Sequence, residues 1–282
     1  MKQFRHIFIF LYLAAVPLCA QESVTIVEDS LYSPGVQSNM KFAVLLPRNY
    51  YHVSERYTTI YLLHGFGGGY MDWIKYSGLV KYLKEYNYIV ICPDAENSWY
   101  TNSFDKKKRF EDYIVSDLIP FAESKYRTLS TRHGRVVAGL SMGGYGALKF
   151  AIKYPSRFVF AASFSGALYV PYGVRPDNKN ISESLMSTFG AVRSPQWTKN
   201  DPFDLLDSLK SASSLPYLYI STGKDDNLGR IVERNRALAQ KLLERGAAYE
   251  YHESSGGHSW QYWDHELRNF LRRLSTFDPL NP

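Results

Sequence analysis

The residue with the strongest chemical signature in this chain is Ser141, which stands in Gly139-Leu140-Ser141-Met142-Gly143, a G-x-S-x-G match. An apolar, β-branched run leads into this pentapeptide, and residues suited to a helix follow it. Strand, sharp turn and helix are the setting in which this pattern exposes a serine Oγ on a strained turn, and small residues let the helix pack close to the strand. The sequence therefore predicts a nucleophilic serine. The alternative is a Gly-rich loop with a structural serine.

A serine nucleophile needs a base to take its proton, and His258 is the best placed of the seven histidines. It stands in Gly256-Gly257-His258-Ser259-Trp260, a flexible loop just before the last helix pattern, from which an imidazole can reach across to another loop. The other histidines fall in a leader segment, in charged or Gly-rich loops, or inside strand and helix patterns. We therefore predict that His258 is the general base, the alternative being a surface histidine at a helix start.

The base in turn needs a carboxylate that orients it. Gly223-Lys224-Asp225-Asp226 follows the strand pattern at 218–221, and either acid could reach His258. Asp94 also follows a strand pattern, but it precedes the serine. The order serine, aspartate, histidine along the chain is that of α/β-hydrolases. From the residues alone, Asp225 and Asp226 both remain open.

An oxyanion hole needs backbone N–H groups that point at the developing negative charge. The N–H of Met142, directly after the nucleophile, is one candidate. The loop His64-Gly65-Phe66-Gly67-Gly68-Gly69 provides the other, which we assign to Phe66. As a phosphate cradle this loop lacks the Lys-Ser/Thr of a P-loop, and the alternative is a Gly-rich turn without a function.

The sequence offers little support for metal or cofactor chemistry. It contains no H-E-x-x-H motif, and no dinucleotide fingerprint follows its first strand patterns. Of its two cysteines, Cys19 belongs to the leader, and Cys92 ends a strand-like run as a small core residue. We therefore expect no metal, no cofactor and no intramolecular disulfide.

Strand and helix patterns alternate along most of the chain, which predicts an α/β fold with a mostly parallel central sheet flanked by helices. The main strand patterns cover 24–27, 42–46, 58–63, 88–92, 158–164, 218–221 and 249–252, besides the run before Ser141; helix patterns cover 72–86, 110–126, 230–245 and 259–274. Sites in such sheets form at the carboxyl ends of strands, where the stretches named above fall. Residues 168–207 break the rhythm and predict a small cap with short helices near 182–189 and 203–209.

Composition indicates one folded domain and no nucleic-acid partner. The chain has 282 residues, 45% of them hydrophobic and 21% charged, which suits a single α/β domain over 21–282. Its net charge of +6 is a mild bias without any nucleic-acid-binding module. After the leader, no stretch is long and apolar enough to form a stable membrane span.

The first residues have the features of a signal peptide. Lys2 and Arg5 precede an apolar run at 7–16, and cleavage after Ala20 would remove residues 1–20. We therefore predict a secreted or periplasmic protein. Cys19 raises lipidation as an alternative, although Leu18 is large where lipoprotein signals prefer a small residue.

Together these motifs resemble the esterase D-like branch of the α/β-hydrolases, which includes tributyrin-type, feruloyl and acetylxylan esterases, S-formylglutathione hydrolase and the mycolyltransferases. The matching segments are Tyr61-Leu62-Leu63-His64-Gly65-Phe66-Gly67-Gly68, Ser98-Trp99-Tyr100-Thr101, Ala138-Gly139-Leu140-Ser141-Met142-Gly143-Gly144-Tyr145-Gly146-Ala147-Leu148, Gly223-Lys224-Asp225-Asp226 and Gly256-Gly257-His258-Ser259-Trp260. The resemblance implies the α/β-hydrolase fold and a serine carboxylesterase. It also favours Asp226, because the family's acid usually ends a G-x-x-D, with Asp225 as the alternative.

We expect the substrate to be a small-molecule or saccharide ester with a short-chain or aromatic acyl group. Trp99 and Tyr100 offer a flat aromatic surface with polar neighbours, on which sugars and phenolic acids stack, and we assign them with His64 to substrate binding. Alternatives are acyl transfer to a sugar hydroxyl, a thioesterase similar to S-formylglutathione hydrolase, and a carbohydrate-binding hydrolase relic without activity.

Overall fold

A computed structural model describes residues 23–168, 178–191 and 194–277. Its centre is one sheet of eight strands in the order β1-β2-β4-β3-β5-β6-β7-β8. The strands are β1 (Thr25–Ser33), β2 (Ser38–Leu46), β3 (Thr59–Leu63), β4 (Ile89–Pro93), β5 (Arg135–Leu140), β6 (Phe160–Phe164), β7 (Tyr217–Gly223) and β8 (Tyr249–Ser254). The predicted α/β-hydrolase fold with a mostly parallel sheet is confirmed.

The antiparallel and parallel parts of the sheet differ in how deeply their strands are buried. β1 pairs antiparallel with β2, and β2 antiparallel with β4, whereas all pairs from β4 to β8 are parallel. Exposed residues recur along β1, which has a face open to solvent, whereas β3, β4 and β6 are buried at every position. Continuous apolar runs are expected where helices cover both faces of a parallel sheet.

Helices cover both faces of the sheet. They are α1 (Asp72–Tyr76), α2 (Leu79–Tyr82), α3 (Phe110–Asp112), α4 (Ile119–Lys125), α5 (Met142–Lys153), α6 (Lys179–Phe189), α7 (Pro195–Thr198), α8 (Pro202–Ser208), α9 (Ile231–Glu244) and α10 (Trp260–Ser275), with a π-helical turn at Tyr113–Leu118 between α3 and α4. Alternate β5 residues divide between two apolar clusters, Val137 in one and Val136 and Ala138 in the other. The first cluster includes residues of α5 and α9, and the second residues of α1, α2 and α10.

Two predicted helices differ from the structure. The pattern at 72–86 forms two short helices instead of one, because the chain turns at Gly78, whose N–H donates to Asp264 Oδ1 of α10 at 2.6 Å. The pattern at 110–126 is helical over 110–125, but its middle part, Tyr113–Leu118, is a π-helix that ends two residues before Pro120. A wider turn accommodates a proline that has no N–H to donate.

The insertion contains helices where the sequence predicts them. α6 and α8 overlap the expected positions, and α7 is an additional short helix. Residues 169–177 and 192–193 of the insertion, like the predicted signal peptide over 1–20, lie outside the described residues. Among the residues that are described, no helix has the length and apolar character needed to cross a membrane.

Candidate active site

Ser141 lies on a strained turn between β5 and α5. Its backbone is in the left-handed region, with φ of 51° and ψ of −113°. Such a conformation costs a non-glycine residue about 1–3 kcal/mol and persists only where its surroundings impose it. Here the Ser141 N–H donates to the Phe164 carbonyl at 2.9 Å, while the Ser141 carbonyl accepts from the N–H groups of Tyr145 and Ala167, each at 3.0 Å.

The two glycines of the pentapeptide are required by close backbone contacts. A Cβ on Gly139 would lie 2.6 Å from the carbonyl carbon of Gly143, and a Cβ on Gly143 would lie 2.5 Å from the Leu63 carbonyl oxygen. Both distances are too short for a real side chain, so α5 can begin this close to β5 and β3 only with glycine at both positions.

Ser141, His258 and Asp226 form a continuous hydrogen-bonded chain. His258 Nε2 lies 2.9 Å from Ser141 Oγ, and His258 Nδ1 lies 2.8 Å from Asp226 Oδ2. Three loops bring them together, after β5, after β7 and before α10. With the proton on Nδ1 donated to the carboxylate, Nε2 is free to accept the serine proton, which is the geometry of a general base.

The two neighbouring acids have different contacts. Asp226 is 6% exposed and bonds His258, and its other oxygen accepts the Leu228 N–H at 3.1 Å. Asp225 is exposed, and its Oδ2 accepts the Gly256 N–H at 3.2 Å in the loop that carries His258. The structure thus brings Asp226 to the imidazole of His258, while Asp225 accepts a hydrogen bond from the backbone of the loop that carries His258.

The two predicted oxyanion donors, the N–H groups of Phe66 and Met142, flank Ser141. Met142 begins α5, and Phe66 lies in the loop after β3, where a Cβ on Gly65 would be 3.6 Å from Ser141 Cβ. The Gly65–Phe66 peptide is held through the Gly65 carbonyl, which accepts from His64 Nδ1 at 2.8 Å and from the Gly68 N–H at 3.1 Å. Within the described part of the chain, neither the Phe66 N–H nor the Met142 N–H has a hydrogen-bond acceptor.

The side chains of His64, Trp99 and Tyr100 are buried beside this loop and do not form the expected stacking surface. All three are at most 1% exposed, because the aromatic rings are packed beneath α6 and against α5. Trp99 Nε1 donates to Ser184 Oγ of α6, and Tyr100 Oη donates to the His64 carbonyl. Burial removes the exposed face on which the substrate-binding prediction depended, so we correct that assignment.

His64 is held as a neutral imidazole. Burial lowers its pKa, against the opposing effects of its bond to the Gly65 carbonyl and the charge of Asp94. Its Nδ1 donates to that carbonyl, and its Nε2 accepts the Ala95 N–H at 3.0 Å. Both ring nitrogens are therefore occupied by backbone groups, which leaves this histidine no free atom for a substrate.

The cleft over Ser141 has a volume of about 560 Å³, and its lining includes the aromatic side chains of Phe66, Tyr76, Trp260 and Trp263. Its residues besides Ser141 and His258 are Gly65, Phe66, Gly67, Gly68, Asp72, Tyr76, Leu140, Asn178, Ile181, Leu228, Trp260 and Trp263. Sequence reasoning gave no role to Trp260 and Trp263, although Trp260 stands two residues after His258 and could have been found by that spacing. Trp263 packs its ring edge-on to the His258 imidazole, with centroids 4.8 Å apart and an interplanar angle of 89°.

Residues 23–168, 178–191 and 194–277 contain no group of three or more His, Cys, Asp or Glu side chains that could hold a metal ion. The side chains that the cleft brings together are those of Ser141, His258 and Asp226.

Comparisons with known proteins identify the family of this chain. The Esterase family model matches residues 33–274. The acetyl esterase of Caldicellulosiruptor saccharolyticus is 34% identical over 228 residues, which cover 79% of this chain and 85% of that protein.

Solved structures show the same fold. The fluorophosphonate-binding serine hydrolase FphF of Staphylococcus aureus has a TM-score of 0.80 at 24% identity and covers 89% of this chain and 98% of its own. A ferulic acid esterase has a TM-score of 0.77 at 23% identity, covering 89% and 96%. The S-formylglutathione hydrolase FrmB of S. aureus has a TM-score of 0.75 at 24% identity, covering 88% and 98%. The chain belongs to the Esterase family and is a serine esterase.

Proposed function

We propose that this esterase hydrolyses short-chain or aromatic acyl esters on saccharides, with Ser141 as nucleophile, His258 as base and Asp226 as the carboxylate that orients the base. The observation that carries the proposal is the hydrogen-bonded chain from Asp226 Oδ2 through His258 to Ser141 Oγ, with distances of 2.8 and 2.9 Å. Acetyl is the favoured acyl group, because the relative that is 34% identical is named an acetyl esterase.

The geometry leads to a two-step mechanism. Ser141 Oγ attacks the ester carbonyl while His258 Nε2 takes its proton, and the N–H groups of Phe66 and Met142 stabilise the oxyanion. His258 then protonates the departing alcohol, which leaves an acyl group on Ser141. Water enters, His258 removes its proton, and the carboxylic acid is released as the serine is restored.

The shape of the cleft supports a small acyl group attached to a ring-shaped alcohol. A volume of about 560 Å³ lies within the usual range for small-molecule sites. Phe66, Tyr76 and Trp260 give it aromatic walls, and Asp72 and Asn178 add polar groups that can bond hydroxyls. An aromatic face with hydroxyl-binding neighbours suits a saccharide or a phenolic acid better than a long alkyl chain.

The proposal includes a location and a cap. Residues 1–20 act as a signal peptide, so that the mature domain over 21–282 works outside the cytosol, away from the main glutathione pool. The insertion over 168–207 acts as a cap, since Asn178 and Ile181 at the start of α6 line the cleft from that side.

A competition between esters tests the substrate class. Purified protein would be compared on acetylated xylan oligomers, methyl ferulate, tributyrin, a long-chain triglyceride and S-formylglutathione, by kcat/KM. We expect the acetylated oligomers or methyl ferulate to lead. A clear preference for the triglyceride or the thioester would refute the saccharide proposal, and tributyrin alone would indicate a general short-chain esterase. Product analysis with an added sugar acceptor would show whether a hydroxyl replaces water.

A further inference from the structure

Lys149 is a fully buried cation to which the mechanism above gives no role. It lies on α5, two turns after Ser141, and its side chain is 0% exposed. Its Nζ donates to the Tyr100 carbonyl at 2.5 Å, to Thr101 Oγ1 at 2.8 Å and to Glu111 Oε2 at 2.8 Å. A lysine ammonium has three donors, and all of them are used here. The group can therefore hold its neighbours in place but has no proton to offer to the cleft.

The segment that Lys149 holds is strained. Trp99 and Tyr100 are consecutive non-glycine residues in the left-handed region, with φ of 56° and 52°. Each costs about 1–3 kcal/mol and needs surroundings that impose the conformation. The bond from Lys149 Nζ to the Tyr100 carbonyl acts directly on this turn, and the Tyr100 N–H donates to Ser98 Oγ at 3.1 Å.

Tyr100 connects the strained turn to the loop over the nucleophile. Its Oη donates to the His64 carbonyl at 2.9 Å, and its ring packs so closely on α5 that a Cβ on Gly146 would lie 2.7 Å from it. His64 in turn donates from Nδ1 to the Gly65 carbonyl at 2.8 Å. That carbonyl belongs to the peptide whose N–H is the proposed Phe66 donor, so its orientation sets the direction of the donor.

We propose that the Glu111–Lys149 ion pair and Tyr100 are positioning residues for the oxyanion-binding N–H of Phe66. Ser141 directly precedes α5, and Lys149 lies within this helix. The ion pair therefore fixes the position of the Phe66 N–H relative to Ser141. A displacement of about 1 Å at a catalytic group can cost about 100-fold in rate. This inference depends on the oxyanion role that the proposed function gives to Phe66.

The energetics fit a positional role better than a purely stabilising one. Burial lowers the pKa of Lys149 to about 8, against the attraction of Glu111, so the fold bears a cost for keeping this cation. Apolar residues of similar volume often replace a buried ion pair at no loss of stability. Lys153 Nζ at 2.7 Å and the Tyr154 hydroxyl also bind the Glu111 carboxylate. These contacts fix the position of the carboxylate that Lys149 contacts.

The first test removes one link without changing any charge. Tyr100→Phe deletes the bond to the His64 carbonyl, and Tyr113→Phe is the matched control, because Tyr113 is also 0% exposed and its hydroxyl has no partner among the described residues. With a nitrophenyl acetate substrate, we expect kcat for Tyr100→Phe to fall at least about 10-fold with KM within about twofold, and the control to match wild type. Equal kcat values for the two variants would overturn the proposal.

The second test asks whether the pair acts through Tyr100. The double variant Lys149→Met with Glu111→Gln should lose a similar factor in kcat, and adding Tyr100→Phe should cost little more, since links in one chain are not additive. Affinity for a boronic acid transition-state analogue should fall in parallel with kcat/KM, which a structural role alone would not produce. Losses that multiply, or unchanged analogue affinity, would contradict the proposal.

Active protein is counted by fluorophosphonate labelling at Ser141, so that rates refer to folded enzyme. If wild type fails to label at Ser141, the proposed function fails, whereas labelled wild type with an unaffected Tyr100→Phe refutes only the positioning role. If the double variant does not fold, Tyr100→Phe decides the question by itself.

Discussion

The Asp226–His258 pair and the Glu111–Lys149 pair each join a buried carboxylate to a basic side chain, and they differ in what the basic partner can still reach. In the Asp226–His258 pair, the carboxylate is 0% and the imidazole 16% exposed. In the Glu111–Lys149 pair, the exposed fractions are 5% for the carboxylate and 0% for the ammonium. His258 has one nitrogen on the acid and the other on Ser141 Oγ at the cleft, whereas every donor of Lys149 is used inside the protein.

This difference shows that a buried charge pair alone does not define a catalytic centre. Proton transfer requires that the basic partner keep one atom in contact with the reacting group, as His258 Nε2 does. A pair with no free atom can contribute only through the backbone that it fixes. Both proposed roles depend on α5, since the proposed nucleophile Ser141 directly precedes its first residue and Lys149 lies two turns later.

Replacing Ser141 should have the largest effect, because it removes the nucleophile from which His258 of the Asp226–His258 pair takes a proton. We expect Ser141→Ala to lower kcat on a nitrophenyl acetate by a factor of about 10⁴ or more with an unchanged melting temperature. Ser163→Ala is the control, since Ser163 is 0% exposed and its hydroxyl has no partner in the described part of the chain. Substantial turnover by folded Ser141→Ala would remove the central assignment.

The two adjacent acids should separate in the next largest effect. Asp226→Asn is expected to lower kcat by about 10³-fold or more, because an amide no longer selects the imidazole tautomer with its proton on Nδ1. Asp225→Asn should stay within about threefold of wild type, since an amide oxygen can still accept the Gly256 N–H. Steady-state kinetics on the two variants decide between them, and the reverse ranking would transfer the role to Asp225.

The Glu111–Lys149 pair should make the free energy of unfolding depend on pH in the acidic range. Burial alone would raise the pKa of Glu111, but Lys149 and Lys153 outweigh it and lower the pKa to about 2 from 4.5. A carboxyl group with a lowered folded-state pKa stabilises the fold above its unfolded-state pKa, and this contribution is lost as pH falls through the folded-state value.

We therefore expect the advantage of wild type over Glu111→Gln in free energy of unfolding to decrease by about 3 kcal/mol from neutral pH to pH 2. Urea unfolding of both proteins across that range measures it. Glu183→Gln, on the exposed Lys179–Glu183 pair, is the control and should show no such trend. A difference that does not change with pH would mean that Glu111 acts without its charge.

Features that depend on local pattern could be predicted from the sequence. The turn at Ser141, the loop with His258 and the parallel strands are encoded in short segments whose spacing has a direct geometric meaning. The Glu111–Lys149 pair could not be found in this way, since its members are 38 residues apart and neither stands in a motif. The break at Gly78 depends on an acceptor 186 residues away, and Trp99 is buried by the insertion helix α6.

The smallest expected effect concerns the aromatic wall of the cleft, which no part of the triad contacts through hydrogen bonds. Trp260 is partly buried, lines the cleft and packs edge-on to Trp73 and Trp263, with centroids 5.2 and 5.5 Å apart. An aromatic acyl group stacked on it gains about 0.5–1.5 kcal/mol beyond the area it buries, a contact that an acetyl group is too small to make. Trp260→Leu should therefore raise KM for methyl ferulate by about three- to tenfold.

KM for an alkyl acetate should change less than about twofold in Trp260→Leu, because this substrate makes no such contact. Tyr32→Leu is the matched control, since Tyr32 is an aromatic residue that is 61% exposed on β1 and does not line the cleft. The measured quantity is the ratio of kcat/KM for the two esters in each variant. Equal losses on both substrates in Trp260→Leu would mean that the indole acts through Trp263 and the His258 loop, not through the acyl group.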